Sequence, residues 1–251
     1  MDVEESVLDS VSIASIAMQD DLQRMNNISQ NLANVTTLGY KRQIAVGRPF
    51  ASFLQGGTSP DEAGVSEAGG LNLVSMLDMR AGTMRQTGNP LDLAIEGEGF
   101  FEVATEQGVA YSRQGTMRVD PHGRLVNQQD LPLMGVSGEW KPNGGPMTID
   151  AHGEVKQGEH IIGQIKLVRF SNPNRMTALG NGMFGQGGAT VAEPGANIGT
   201  VRTGFQENSN VSSAQEMVRL TETVRHFEAM QKVMQGYGDV FDQTLRKLGE
   251  F

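Results

Sequence analysis

Few residues in this 251-residue chain have the types and spacing that chemistry requires. GNGMFG at 180–185 has the GxGxxG form of a loop that cradles a dinucleotide phosphate, but such a loop follows a strand and opens a helix. The QGGATVAEPG that comes next cannot sustain a helix, so a cluster of β-turns is expected instead. Glu96 and Glu98, two apart in EGEGFF, would share one face of a strand as an acid and a base. Carboxylates that cleave glycosides oppose each other across a cleft from different elements, so this adjacency predicts a solvated strand edge. His122 and His152 hold equivalent places in two similar segments, and His160 and His226 complete the histidines. No carboxylates at ligand spacing accompany them, and no metal site is expected. With no cysteine and no GxSxG elbow, a thiolate or activated-serine nucleophile has no foundation. The expectation is a protein with no catalytic residues, no metal and no cofactor.

Composition points the same way. The chain is long enough for one large domain or two small ones. Its 32 glycines and few aromatics favour turn-rich β structure as the main body. Twenty basic residues against 29 acidic ones give a net charge of −9, which argues against a nucleic-acid or anionic-lipid surface and for a protein partner. The opening MDVEESVLDS is acidic where a secretory signal carries Lys or Arg, so a cleaved signal is not expected. No apolar run approaches the roughly 20 residues that span a bilayer, so no membrane insertion is expected either.

Two elements frame the chain. Val11, Met18, Met25 and Leu32 recur at one heptad-like position, and Val7, Ala14, Ile28 and Val35 at another; only Asp21 interrupts. This predicts a helix of about 30 residues with a narrow apolar seam. Asn31, Asn34, Thr36, Thr37 and Gly39 then end it, because short polar side chains compete for the backbone and Gly tolerates positive φ. At the far end Ser213 and Glu216 have capping-box spacing. Met217, Leu220, Val224, Phe227, Met234, Phe241, Leu245 and Leu248 follow at steps of three and four or their sums, predicting a second long helix. The methionines of both seams are expected to pack as core.

Between them the period is two. Leu91, Leu93 and Ile95 alternate with Asp92, Ala94 and Glu96; Met117 and Val119 alternate with Arg118 and Asp120; Ile165 and Leu167 flank Lys166. VDPHGRL at 119–125 and IDAHGEV at 149–155 each place Asp and Gly at the ends of a four-residue turn, predicting two hairpins. Residues 41–75 and 171–204 are rich in Gly, Ser, Asn and Pro and are expected to be passages between helices and β body. The fold class expected is α+β. Long terminal helices form a coiled-coil-like stalk, with a central, mainly antiparallel all-β domain. The divisions are 1–40 for the N-terminal helix, 41–75 for a connecting segment, 76–204 for the β-rich outer domain and 205–251 for the C-terminal helix.

NLANVTTLGYKRQ at 31–43 closely resembles the asparagine-rich N-terminal signature of bacterial flagellar axial proteins, through Asn31, Leu32, Ala33, Asn34, Val35, Thr37, Gly39, Tyr40 and Lys41. Further segments agree in order: GNPLDLAIEGEGFFEV at 88–103 with YSRQGTMRVDPHGRLV at 111–126, then ENSNVSSAQEMVRL at 207–220 leading into VRHFEAMQKV. IGQIKLVRFSNPNRM at 162–176 looks closest to rod proteins. The resemblance spans nearly the whole chain and is to the flagellar basal-body rod protein family, in its distal or proximal branch.

What the resemblance implies is a structural, non-enzymatic subunit of the basal-body rod. It would self-assemble through its terminal helices into a hollow helical axial structure that transmits torque. It would leave the cell by the flagellar type III apparatus without a cleaved signal and reside in the periplasmic rod. Its partners would be itself, other rod and hook proteins, the export apparatus and the surrounding basal-body rings. The residues expected to carry assembly are Asn31, Leu32, Ala33, Asn34, Val35, Gly39, Tyr40, Lys41, Ser209, Asn210 and Val211, with the helix seam of Val11, Met18, Met25, Leu32, Met217, Leu220, Val224 and Phe227. The competing readings are an exported cell-wall hydrolase, which needs the convergent acid and base that is missing, and a coiled-coil-stalked adhesin or binding module.

Overall fold

A computed structural model describes residues 2–47, 73–138, 147–193 and 198–248, with side chains described for 11–46, 73–138, 147–193 and 198–240. Most of the expected 41–75 connection, and the seam side chains Val7, Phe241, Leu245 and Leu248, lie outside the described residues. The described residues contain helix α1 (Asp2–Ala33) and helix α2 (Ser213–Leu248), with sixteen short strands between them. No described helix is long and apolar enough to cross a membrane. The chain divides into two compact units: residues 1–30, 43–75 and 213–251 form one, and residues 31–42 and 76–212 the other.

The first unit holds α2, α1 up to Gln30, and the ribbon of β1 (Gln43–Gly47) with β2 (Leu73–Leu77), the last two residues of β2 belonging to the second unit. Helices appear at both ends, as the periodicity predicts, but the coiled-coil-like stalk does not. On α1 the buried heptad position is the one that carries Ala14, Asp21 and Ile28, so a carboxylate sits in its middle; Val11, Met18, Met25 and Leu32 are only half-buried. On α2, Met217 is 56% exposed, and Val218, Val233 and Val240 also face solvent. Its partly covered side chains, Leu220, Val224, Phe227, Met230, Met234 and Tyr237, follow a stripe in which only Glu216 is fully buried. A knobs-into-holes seam requires apolar side chains enclosed on both helices. These helices have the period without the enclosure.

The second unit is built on antiparallel strands. Its largest sheet orders β12 (Leu167–Val168), β5 (Phe100–Thr105), β6 (Gly108–Ser112), β14 (Met183–Gly185) and β13 (Thr177–Gly180). Successive strand side chains point to opposite faces, and here both faces are covered. Phe101 and Val103 enter a core with Leu93, Ile95, Leu125, Val155 and Val201; Phe100 enters a second with Tyr111, Val168, Phe170 and Phe184. In that second core Phe100 meets Phe170 and Phe184 edge-on, each with centroids 5.9 Å apart. Asp92, Leu93, Ala94 and Ile95, outside this sheet, are likewise all buried, where alternation predicts one wet face. Segment 171–204, read from composition as a passage, in fact supplies β13, β14 and β15 (Thr200–Thr203); Gly180 and Gly185 lie at the ends of β13 and β14, and Gly182 in the turn between them.

Three turns in this unit share one construction. Asp120 Oδ1 accepts from the amides of His122 (2.9 Å) and Arg124 (2.8 Å), closing β7 (Arg118–Val119) onto β8 (Leu125–Val126). Asp150 Oδ1 accepts from His152 and Glu154, both at 2.9 Å, between β9 (Met147–Ile149) and β10 (Glu154–Gln157). These are the two hairpins predicted. The third is Asn127, whose Oδ1 accepts from Gln129 (3.0 Å) and Leu131 (2.9 Å). There Asp130, at φ 62°, stands where the other two turns have glycine.

Candidate functional site

The segments that single out this sequence meet in one buried polar junction of the β-rich unit. After α1 the chain turns through Asn34, whose carbonyl accepts from the Thr37 amide and whose side-chain oxygen accepts from the Thr37 hydroxyl, both at 3.1 Å. Gly39 follows at φ +67°, and a Cβ there would stand 2.4 Å from the Gln114 amide nitrogen, so both conformation and space demand glycine. Its own amide donates to the Glu207 carbonyl at 2.8 Å. Tyr40 then returns to the helix end, donating from its hydroxyl to Asn31 Oδ1 at 3.2 Å.

Lys41 occupies the centre. Its Nζ lies 2.6 Å from Glu207 Oε1 and donates to the Arg80 carbonyl at 2.9 Å. Both side chains of the pair are essentially inaccessible, at 1% and 0% exposure. Glu207 Oε1 also accepts from the Gly82 amide (3.0 Å), and Oε2 from Arg113 (3.3 Å). Arg113 donates further to the carbonyls of Ile95 and Gly97 and lies 5.3 Å over the Phe100 ring. One carboxylate thus serves two buried cations. Burial pushes the Lys41 ammonium below its ordinary value, with Glu207 pulling the other way and Arg113 adding to the fall. Burial lowers the Arg113 guanidinium in the same manner.

Asn210 closes the outer side. Its side chain accepts from the Arg42 amide (2.7 Å) and donates to the carbonyls of Asp78 (2.8 Å) and Arg80 (3.0 Å). The Arg80 guanidinium beside Asp78 holds that carboxyl below its usual range. Gly82 must be small because a Cβ would fall 1.9 Å from the Asn208 carbonyl oxygen.

Of the expected motif residues, the structure brings Asn31, Gly39, Tyr40, Lys41 and Asn210 together. Ala33 is exposed, and Leu32, Asn34 and Val35 are half-buried. Ser209 Oγ accepts from the amide of Val211, which is buried. Glu207 and Arg113 lie inside the motif segments at 207–220 and 111–126 but are not among the residues expected to carry assembly, and Arg80 and Gly82 lie outside those segments altogether. A charged residue inside each motif was the available signal.

The residues considered for chemistry lie apart. Glu96 ends β4 (Leu93–Glu96) and Glu98 sits beyond Gly97 in a turn, so they do not share a strand face as expected. They border an open cavity of about 420 Å³ and pair with Arg202 (3.6 Å) and Arg169 (2.5 Å). GNGMFG spans the β13–β14 turn. His122 and His152 are exposed in separate turns, and among the described residues no group of three or more His, Asp or Glu converges as a metal site would.

This arrangement holds chain segments together. Two family profiles match it: the C-terminal domain of flagellar basal-body rod FlgEFG proteins over residues 202–247, and the D1 domain of the flagellar hook protein FlgE/F/G over residues 94–157. The class is thus flagellar rod and hook protein. The flagellar basal-body rod protein FlgG of Buchnera aphidicola subsp. Schizaphis graminum is 31% identical, covering 97% of this chain and 100% of its own length. The rod protein FlgF of Mesorhizobium japonicum is 28% identical over 96% and 98%, and FlgG of Caulobacter vibrioides 30% over 82% and 87%. The chain belongs to the flagellar basal-body rod protein family, a family of structural proteins and not of enzymes.

Proposed function

We propose that this protein is a rod subunit that self-assembles through its terminal helices, with other flagellar axial proteins, into a hollow helical structure that transmits torque. It is exported by the flagellar type III apparatus, and it works in the periplasmic part of the basal body, within the surrounding rings. The observation that carries this reading is similarity to rod proteins over nearly the whole chain, joined to a buried junction that ties the two motif segments into one unit. Torque passing through a subunit loads the places where its segments join, and charge-assisted hydrogen bonds between buried groups are short, directional and mutually strengthening. The division into helical core (1–40 and 205–251), connection (41–75) and outer β domain (76–204), and the assembly role of the motif residues Asn31 to Lys41 and Ser209 to Val211, belong to the same proposal.

The test is imaging of basal bodies isolated from cells that carry this protein with an epitope inserted at the exposed β5–β6 turn, Glu106–Gln107. Density and label in the rod are expected. Basal bodies with complete rods and no label, while the tagged protein is made and supports motility, would overturn it.

A further inference from the structure

The buried carboxylate of Asp21 has a partner that only one alignment of the helices can supply. Asp21 is 0% exposed, at the α1 position that also buries Ala14 one heptad before and Ile28 one heptad after. Its Oδ1 accepts from Arg24 Nη1 at 3.2 Å, one turn along the same helix, and that bond exists whatever α2 does. Its Oδ2 lies 2.5 Å from His226 Nδ1, 205 residues away on α2. The Arg24 and His226 side chains are 46% and 47% exposed, so each reaches from solvent to an oxygen that water does not reach.

We propose that Asp21 and His226 form a register lock that selects one alignment of α1 against α2. A narrow stripe with residues at every third and fourth position looks alike to its partner after a slip of one turn or one heptad. The residues a slip would bring opposite Asp21 are not alike. One turn either way presents Glu222 or Thr223, or Ala229 or Met230. One heptad presents Val233 on one side. On the other it presents Arg219, whose guanidinium is 3.1 Å from the buried carboxylate of Glu216 and would have to leave it. Except at Thr223, which brings a hydroxyl, each alternative leaves Asp21 Oδ2 with no donor from α2, faces it with another carboxylate or draws Arg219 away from Glu216. A buried carboxylate oxygen that loses its donor is disfavoured even while Arg24 holds Oδ1. The half-buried apolar residues make the helices adhere, and the polar pair decides where. The lock fixes which exposed α2 residues, Met217, Val218, Val233 and Val240 among them, stand at which height beside α1. Asp21 and His226 act by positioning.

The chain lacks cysteine, so labels can be placed without background. Spin labels at cysteines introduced for the exposed Gln19 and Gln235 report one distance by pulsed electron resonance on the full-length protein. The wild-type pair is expected to give one narrow distribution. The double variant Asp21→Leu/His226→Leu should keep its helices by circular dichroism but show added distances, each turn of slip moving α2 by about 5 Å along its axis. His226→Leu alone should broaden the distribution or lose helix, and His226→Asn, which can still donate a hydrogen bond, should restore the narrow one. A double-Leu variant with the wild-type distribution overturns the proposal. So does a double-Leu variant that loses its helices, since the pair would then supply adhesion rather than alignment.

Discussion

Glu207 serves two buried cations, Lys41 and Arg113, so removing its charge takes the carboxylate from both at once. Glu207→Gln is expected to cost about 3–5 kcal/mol, the range for breaking a buried pair on one side. Lys41→Met should cost less than half of that, since Glu207 keeps Arg113 and the Gly82 amide. Urea unfolding of both variants would check the ranking; equal losses would mean that Lys41 and not Glu207 organises the junction. Gly39→Ala must drive a Cβ into the Gln114 backbone at a positive φ and should destabilise by more than about 1 kcal/mol. Lys41, Asn31, Tyr40 and Asn210 were legible as residues of interest through the motif that holds them. Their partners were not, because an ion pair 166 positions apart leaves no periodic trace in a sequence.

At the scale of elements, the turns show why some structure was readable and some was not. Asp-x-x-Gly twice over announces two of the three; the third, NQQDL, replaces the glycine with Asp130, so the same hydrogen bonds form without the usual mark. Asn127→Ala should therefore cost about 1 kcal/mol, as loss of a buried side-chain to backbone bond does, and urea melts would measure it. In the other two turns burial opposes the charge on Asp120 and Asp150, but the turn amides with Arg124 in one case, and with Lys156 in the other, hold both carboxyls below their ordinary 3.8. A carboxyl depressed in the folded state binds fewer protons than in the unfolded chain. Its contribution is thus complete above 3.8 and is lost as pH falls through the lower folded value. Guanidinium melts should show Asp120→Ala/Asp150→Ala well below wild type at pH 6, with a gap that narrows as pH falls below 3.8. A constant gap would assign the effect to packing. The helices were readable from their period, whereas their exposure was not: spacing specifies which residues share a face, and only the packed structure shows how far that face is covered.

For the whole molecule, the division into two units sets what each half can do alone. A fragment of residues 31–212 should unfold in one cooperative transition, whereas residues 76–205 alone should be markedly weaker, because that cut removes Lys41 and Glu207 and leaves Arg113 without its carboxylate. Circular dichroism melts of both fragments would decide; equal stability would make the junction dispensable. Met25→Asp and Phe227→Asp, half-buried in the helical unit, should block incorporation into basal bodies while leaving the transition of the β-rich unit in place, read by fractionation beside the same melts. The bond between Lys41 and Glu207 also has a meaning for synthesis. A chain whose translation stops before residue 207 already holds Lys41, Arg113 and nearly every strand, yet lacks the one carboxylate that lets those cations be enclosed. Such a product is expected to stay loose and open to proteases, which limited proteolysis of a chain ended at residue 206 would check. The junction is a seal that closes only once residue 207 has been made.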